Sequence, residues 1–329
     1  MKFQRRKFLH LAAGAAALPA VSRMARAQAY PTRPVTVVVS FPAGGPADAV
    51  ARIVAERMRV GLGQPVIIEN VSGANGSIGA GRVARAAPDG YTLSLGVWNS
   101  HVANGATTAL SYDVLSDFEP VAMLASYSQL IVAKQAIPAN DLQGLIAWLK
   151  ANPDKASQGH PGVGSQGHLS GIFFQTLTGT RFAQVPYRGL TFAMQDLVSG
   201  QIDMVFPDPA SALALARAGR IKAYAVAGKS RSAAGPEIPT VDEAGLPGFY
   251  VANWTAFFAP KGTPGNVIAR LNEATVSTLA DPTTRQKLAD LGFEIPEREQ
   301  LTPAALSAFH KAEIEKWWPI IKAANIKGE

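Results

Sequence analysis

Three glycine-bearing loops carry most of the chemistry this sequence offers. The first, Phe41-Pro-Ala-Gly-Gly-Pro-Ala-Asp48, joins a β-branched run to a helical pattern. Around Ala43, the pair Gly44 and Gly45 lets the backbone approach a ligand closely, and free N–H groups at a helix start favour an anion. Asp48 has three roles open to it: capping the helix, orienting the loop, or accepting from an amino or hydroxyl group of a ligand. A plain strand–helix turn with Asp48 as its cap explains the same residues.

The second loop, Gly162-Val-Gly-Ser-Gln-Gly167, matches G-x-G-x-x-G letter for letter. A dinucleotide site needs a good strand before the glycines and an acid some twenty residues on. Ser157-Gln-Gly-His-Pro161 reads as a poor strand, and the next one, Phe182–Tyr187, ends in Pro-Tyr-Arg instead of an acid. A small-anion cradle fits better, with Gly164, the Ser165 hydroxyl and N–H groups at the next helix; His168, near that helix start, is structural or touches the ligand. The third loop, Val185-Pro-Tyr-Arg-Gly189, puts Tyr187, Arg188 and Gly189 at a strand end, where Arg188 either pairs with a carboxylate or is simply solvated. Asp208 sits between two prolines in Phe206-Pro-Asp-Pro209, as a ligand contact or a helix cap, and Trp98 and Trp254 are pocket walls or core.

Catalysis finds little to build on. The chain has no cysteine, which removes thiol chemistry and structural disulfides alike. His101, His160, His168 and His310 include no two at metal-ligand spacing on one element, and no G-x-S-x-G elbow accompanies them. The expectation is therefore no catalytic set, no metal and no cofactor.

The elements that must position these loops alternate in type. Val35–Ser40 is a strand, Ala47–Val60 carries one apolar helical face, Pro65–Glu69 is a strand, Ser77–Ala86 a helix and Tyr91–Val97 a strand. The uncharged stretch Gly90–Tyr112 holds Asn99, Ser100, His101 and Asn104 and reads as a strand followed by a loop, not a membrane span. The pattern restarts after about residue 130, with strands near Leu130–Ala133, Asp203–Phe206 and Lys222–Ala227, and helices over Asp141–Ala151, His168–Leu177, Thr191–Val198 and Ala210–Ala218. Ser230–Gly248 is a connection, Val251–Ala259 a strand, and helices follow from Pro264, Pro282 and Pro303. The fold class is α/β, with parallel sheets covered by helices. One domain takes residues 30–128 together with 250–329, the other residues 129–249, and a ligand cleft lies between them.

The charge balance, 31 Lys and Arg against 24 Asp and Glu in 329 residues, suggests a polyanion partner at first sight. Residues 1–29 hold Lys2, Arg5, Arg6, Lys7, Arg23 and Arg26 and no acid, so the surplus sits there and the rest is nearly neutral. No nucleic-acid footprint remains. Arg5-Arg6-Lys7-Phe8-Leu9, the uncharged run Phe8–Ser22 and the small-residue exits Ala25-Arg-Ala27 and Ala27-Gln-Ala29 form an export signal of the twin-arginine type, cleaved near Ala29. The run is too short for a bilayer core of roughly 30 Å. The expectation is a periplasmic protein without a membrane anchor.

Phe41-Pro-Ala-Gly-Gly-Pro-Ala-Asp-Ala-Val-Ala-Arg52 resembles the first-loop signature of the Bug family, the solute receptors of tripartite tricarboxylate transporters. The resemblance continues through Glu69–Ser77, Ala87–Tyr91, Gly162–Ser165, Val185–Gly189 and Ala259–Pro264, in order along nearly the whole mature chain. It implies a two-domain periplasmic binding protein-like fold that closes on its ligand, and a carboxylate gripped by main-chain N–H groups of the loops at Phe41–Gly45 and Tyr187–Gly189, often with bridging waters. Carried over, Gly44, Gly45, Asp48, Ser165, Tyr187 and Arg188 are the primary positions, with Phe41, Ala43, Ser77, Trp98, Gly164, His168, Gly189 and Asp208 completing the expected site. Three departures bear on ligand choice: Ser157–His160 in place of an aromatic strand, Asn75 in place of a loop glycine, and the stiff Phe206–Pro209.

The function implied is a non-enzymatic, monomeric periplasmic receptor that captures a small carboxylate and hands it to transporter membrane subunits. The alternatives are a loaded receptor that signals to a membrane sensor kinase, or a periplasmic hydrolase.

Overall fold

The computed structural model describes residues 30–327, so the leader read over residues 1–29 lies outside the described residues. Two five-stranded sheets organise the chain. In the first, β1 (Val35–Val39) is flanked in parallel by β2 (Val66–Asn70) and β3 (Thr92–Val97). The order then continues through β10 (Ala252–Pro260), antiparallel to β3, to β4 (Phe118–Ser128) at the edge. The second sheet repeats this plan: β6 (Ser157–His160) lies between β7 (Ala183–Pro186) and β8 (Met204–Val205), all parallel. Beyond β8 come the antiparallel β5 (Leu130–Lys134) and then β9 (Ile221–Val226). Both sheets are thus mixed, which corrects the expectation of parallel ones: the strands that carry the chain across between sheets enter each sheet backwards.

The helices follow their sequence signals closely. α1 (Pro46–Leu62) starts with proline in its first turn and ends at Gly63 in the left-handed region, φ 69°. α2 is Ser77–Ala84, α3 the single turn Asn104–Thr107, α4 Leu142–Ala151, α5 Gln166–Thr178, α6 Leu190–Ser199 and α7 Pro209–Arg217. After β10 come α8 (Gly265–Ala280), α9 (Pro282–Asp290) and the long α10 (Pro303–Ala323). Asp141, Asp281 and Thr302 each cap a helix by accepting a backbone N–H three residues on.

Three local readings are corrected. β4, the longest strand at 11 residues, stands where no strand was expected. Its sequence lacks a β-branched run and contains Pro120, which an edge strand tolerates beside a register shift. β6 is a real strand although Ser-Gln-Gly-His is a weak strand former; a side chain at Gly159 would collide with Ile202 and press on Ala193 and Tyr187. Tertiary packing, not propensity, selects it. The stretch after β3 is no loop: Asn99–Ala103 forms a π-helical turn that runs into α3.

The chain crosses between sheets twice, outward at Gln129 and back at Val251. The crossings are stitched together by backbone bonds from Gln129 to Val251, from Ala227 to Gln129 and from Val251 to Ala227, at 3.0, 2.7 and 2.8 Å. α10 packs on β4 and the π-helical turn and also reaches α5, where Trp317 meets Phe173 edge-on at 5.6 Å. A continuous apolar core therefore runs from Val37 and Leu95 of the first sheet to Phe174 and Phe206 beside the second.

Candidate functional site

The carboxyl ends of the parallel strands of both sheets face a common space, where the three glycine-bearing loops meet. A cavity of about 1440 Å³ lies there, lined on one side by Phe41, Asn75 and Asn99 and on the other by Gly162–Gly167, Pro186–Leu190 and Asp208. A smaller pocket of about 570 Å³ adjoins it along Phe41–Ala47, and Phe41, Asn99, Tyr127 and Asn253 line both.

The first loop is held from inside. Gly44, at φ 83°, donates its N–H to Asp48 Oδ2 at 2.9 Å, and Arg52 Nε donates to the same oxygen at 2.9 Å. Asn70 Nδ2 bridges Asp48 Oδ1 at 3.0 Å and the Phe41 carbonyl at 3.1 Å. Asp48 is buried, and the Arg52 hydrogen bond, followed by those from Gly44 and Asn70, holds its carboxyl down at about 2 against the cost of burial. Asp48 lines neither cavity; of the roles open to it, loop orientation is the one its bonds occupy. Gly45 caps α1 with no side-chain bond, and among the described residues its N–H has no acceptor, so the helix start stays open toward the smaller pocket.

The second loop is also self-bracing. Ser165 caps α5, accepting the His168 N–H at 3.2 Å and donating to the Gly162 carbonyl at 2.6 Å. His168 Nδ1 accepts the Gly164 N–H at 3.2 Å, and its ring stacks on His160 at 4.4 Å. Burial, with His160 alongside, pushes His168 down to about 4, so it is neutral at physiological pH. Gly164 and Ser165 line the cavity; His168 supports them from behind.

In the third loop Tyr187 N–H continues the strand pairing to the His160 carbonyl at 2.9 Å, and its hydroxyl donates to Asp196 at 2.7 Å. Burial and that carboxylate raise the phenol to about 12. Tyr187, Arg188 and Gly189 all line the cavity. Among the described residues the N–H groups of Arg188 and Gly189 have no acceptor and the exposed Arg188 guanidinium has no ion pair. Asp208 lines the cavity while capping α7 through Ser211 N and Oγ, both at 2.8 Å.

Four expected positions lie outside both linings: Asp48 and His168, which brace the loops from behind, and Trp98 and Ser77. Trp98 is fully buried and meets Trp317 edge-on at 5.2 Å, and Ser77 begins α2 outside the lining. Sequence reasoning missed others. Tyr127 and Asn253 flank the two crossings and are joined by Asn253 Nδ2 donating to the Tyr127 hydroxyl at 2.8 Å. Burial and the Asp208 carboxylate push the Tyr127 hydroxyl up. Asn75, Asn99 and Asn104 form a cluster on one wall, with Asn75 in the left-handed region at φ 51°. Asparagine is among the few residues other than glycine that tolerate that backbone. Asn75 already stands out in the sequence; the signal for Asn99 and Asn104 was the uncharged, asparagine-bearing stretch after β3.

Chemically, the arrangement offers open N–H groups at the starts of α1 and α6, the Arg188 cation and neutral polar side chains. That suits non-covalent capture of an anion. Among the described residues no three His, Cys, Asp or Glu are grouped to hold a metal, and no helix is long and apolar enough to cross a membrane.

Comparison with known proteins agrees with this geometry. The family model of the tripartite tricarboxylate transporter family receptor matches residues 50–326. Protein BugT of Bordetella pertussis is 33% identical over 303 residues, covering 92% of each chain. MatC from Rhodopseudomonas palustris with bound malate is 40% identical, with a TM-score of 0.73 over 89% of this chain and 100% of its own. R. palustris Rpa4515 with adipate is 33% identical, with a TM-score of 0.74 over 91% and 99%. The two α/β lobes are those of the periplasmic binding proteins of this group. The chain belongs to the tripartite tricarboxylate transporter receptor family, the Bug-type periplasmic solute receptors.

Proposed function

We propose that this protein is a non-enzymatic receptor that captures a small carboxylate between its lobes and delivers it to the membrane subunits of a tripartite tricarboxylate-type transporter. The observation that carries the reading is a set of N–H groups with no acceptor among the described residues, Gly45 on the smaller pocket and Arg188 and Gly189 on the adjoining larger cavity, beside an Arg188 side chain with no ion pair there. The malate and adipate in the two R. palustris structures support carboxylate as the ligand class. In this reading the lobes are residues 30–128 with 250–329 and residues 129–249, the Gln129 and Val251 crossings are the hinge, and the leader directs twin-arginine export to the periplasm. The receptor acts as a monomer.

Calorimetric titration with mono-, di- and tricarboxylates tests the binding step. One acid should bind at a single site per chain and be recovered unaltered. Chemical alteration of the bound acid would favour a hydrolase, and co-isolation with a sensor kinase instead of transporter subunits would favour the signalling role.

A further inference from the structure

We infer that the acid is an aromatic monocarboxylate; this rests on the receptor reading above and narrows it. The pocket along the first loop is walled by three rings, Phe41, Tyr127 and Phe293, and among the described residues no charged side chain lines it. Trp254 borders it too, but its buried ring packs on Phe309 and His310 instead. Tyr127 and Phe293 already meet edge-on at 5.3 Å, so part of the wall is packed before any ligand arrives. Its volume of about 570 Å³ falls in the usual range for small-ligand pockets and leaves room for a single ring against half-buried Phe41 and Tyr127.

Charge points the same way. Among the described residues, the charged side chains lining the larger cavity are Arg188 and Asp208, one of each sign. One carboxylate is matched by Arg188 together with the open N–H groups of the loops. A second would meet either the ring-walled pocket, where no cationic side chain faces it and the Gly45 N–H alone is left to offset its desolvation, or Asp208, which repels it. A ligand with one acidic end and one apolar planar end uses both halves of the cleft, and a short dicarboxylate leaves the rings without a partner.

Titration of the ligand-free protein with benzoate, phenylacetate, malate and adipate decides the matter. Benzoate or phenylacetate should bind about tenfold or more tightly than either dicarboxylate. Phe41→Ala should weaken the aromatic acid by about tenfold. Tyr127→Leu provides a second probe of the same wall if circular dichroism shows the first variant to be misfolded. Tight binding of malate or adipate with none of the aromatic acids would overturn the inference and leave the carboxylate receptor standing. Failure of a wider panel that adds tricarboxylates would overturn both.

Discussion

The backbone N–H of Gly44 donates to the Asp48 carboxylate at 2.9 Å, turning the one acid of the first loop inward, away from the cleft. Asp48 accepts from Gly44, Arg52 and Asn70 at once, all of them donors. The amide introduced by Asp48→Asn would turn donors of its own toward at least one of them. That substitution should therefore cost about 1–3 kcal/mol of stability and weaken carboxylate binding by loosening the loop. Thermal melts and calorimetry on the variant check both effects.

The same acid fixes a pH dependence. Its carboxyl titrates at about 2 in the folded protein, below its ordinary value of 3.8, so its stabilisation is complete above pH 4 and is lost as the pH falls toward 2. The full shift corresponds to about 2 kcal/mol, and screening at the half-exposed Arg52 reduces it to about 1 kcal/mol. Urea melts across that window should lose this increment in the parent and not in Asp48→Asn.

Histidines act higher in the range and in the same direction. Burial depresses His168 to about 4 and also lowers His160, His101 and His310. The unfolded chain therefore binds more protons between pH 6.5 and 4, and stability falls as the pH drops through that interval. His168→Gln should flatten the fall by about 2 kcal/mol between those limits, measured as the difference in urea-melt stability.

Glycine is needed in this chain for two different reasons. At Gly44 an added Cβ meets nothing within 4 Å, so Gly44→Ala bears only the strain of left-handed backbone, about 1–2 kcal/mol. At Gly159 the backbone is ordinary strand but the space is filled by Ile202, Ala193 and Tyr187, so Gly159→Ala should cost about 1–3 kcal/mol by overpacking. Only the second should disturb the Tyr187 loop, visible as weakened ligand binding out of proportion to the loss of stability.

Arg188 separates binding from folding. It is exposed and makes no ion pair among the described residues, so Arg188→Gln should leave the melting temperature of the free protein unchanged. It should weaken carboxylate binding by about 10–100-fold, the value of a charge-assisted hydrogen bond.

The helices and the β-branched strands were legible because local chemistry wrote them: proline at first turns, capping acids, and apolar faces at helical spacing. β4 and β6 were not, because their residues are strand-like only in the company of β10, α6 and Tyr187. Among the site residues, the glycine loops were visible through backbone requirements that leave a mark in sequence. Tyr127 and Asn253 were not, since the two lie 126 positions apart and become neighbours only through pairing of β4 with β10. For Asp48 and Trp98 the sequence left both a ligand contact and a structural role open, and the fold uses them to brace the loop and fill the core.

Native mass spectrometry of the purified protein, before and after prolonged incubation with the acid that stabilises it best, separates capture from turnover. One intact carboxylic acid per chain, released unchanged in mass, is the expected result. Turnover of that acid, or no adduct with any mono-, di- or tricarboxylate, would contradict it.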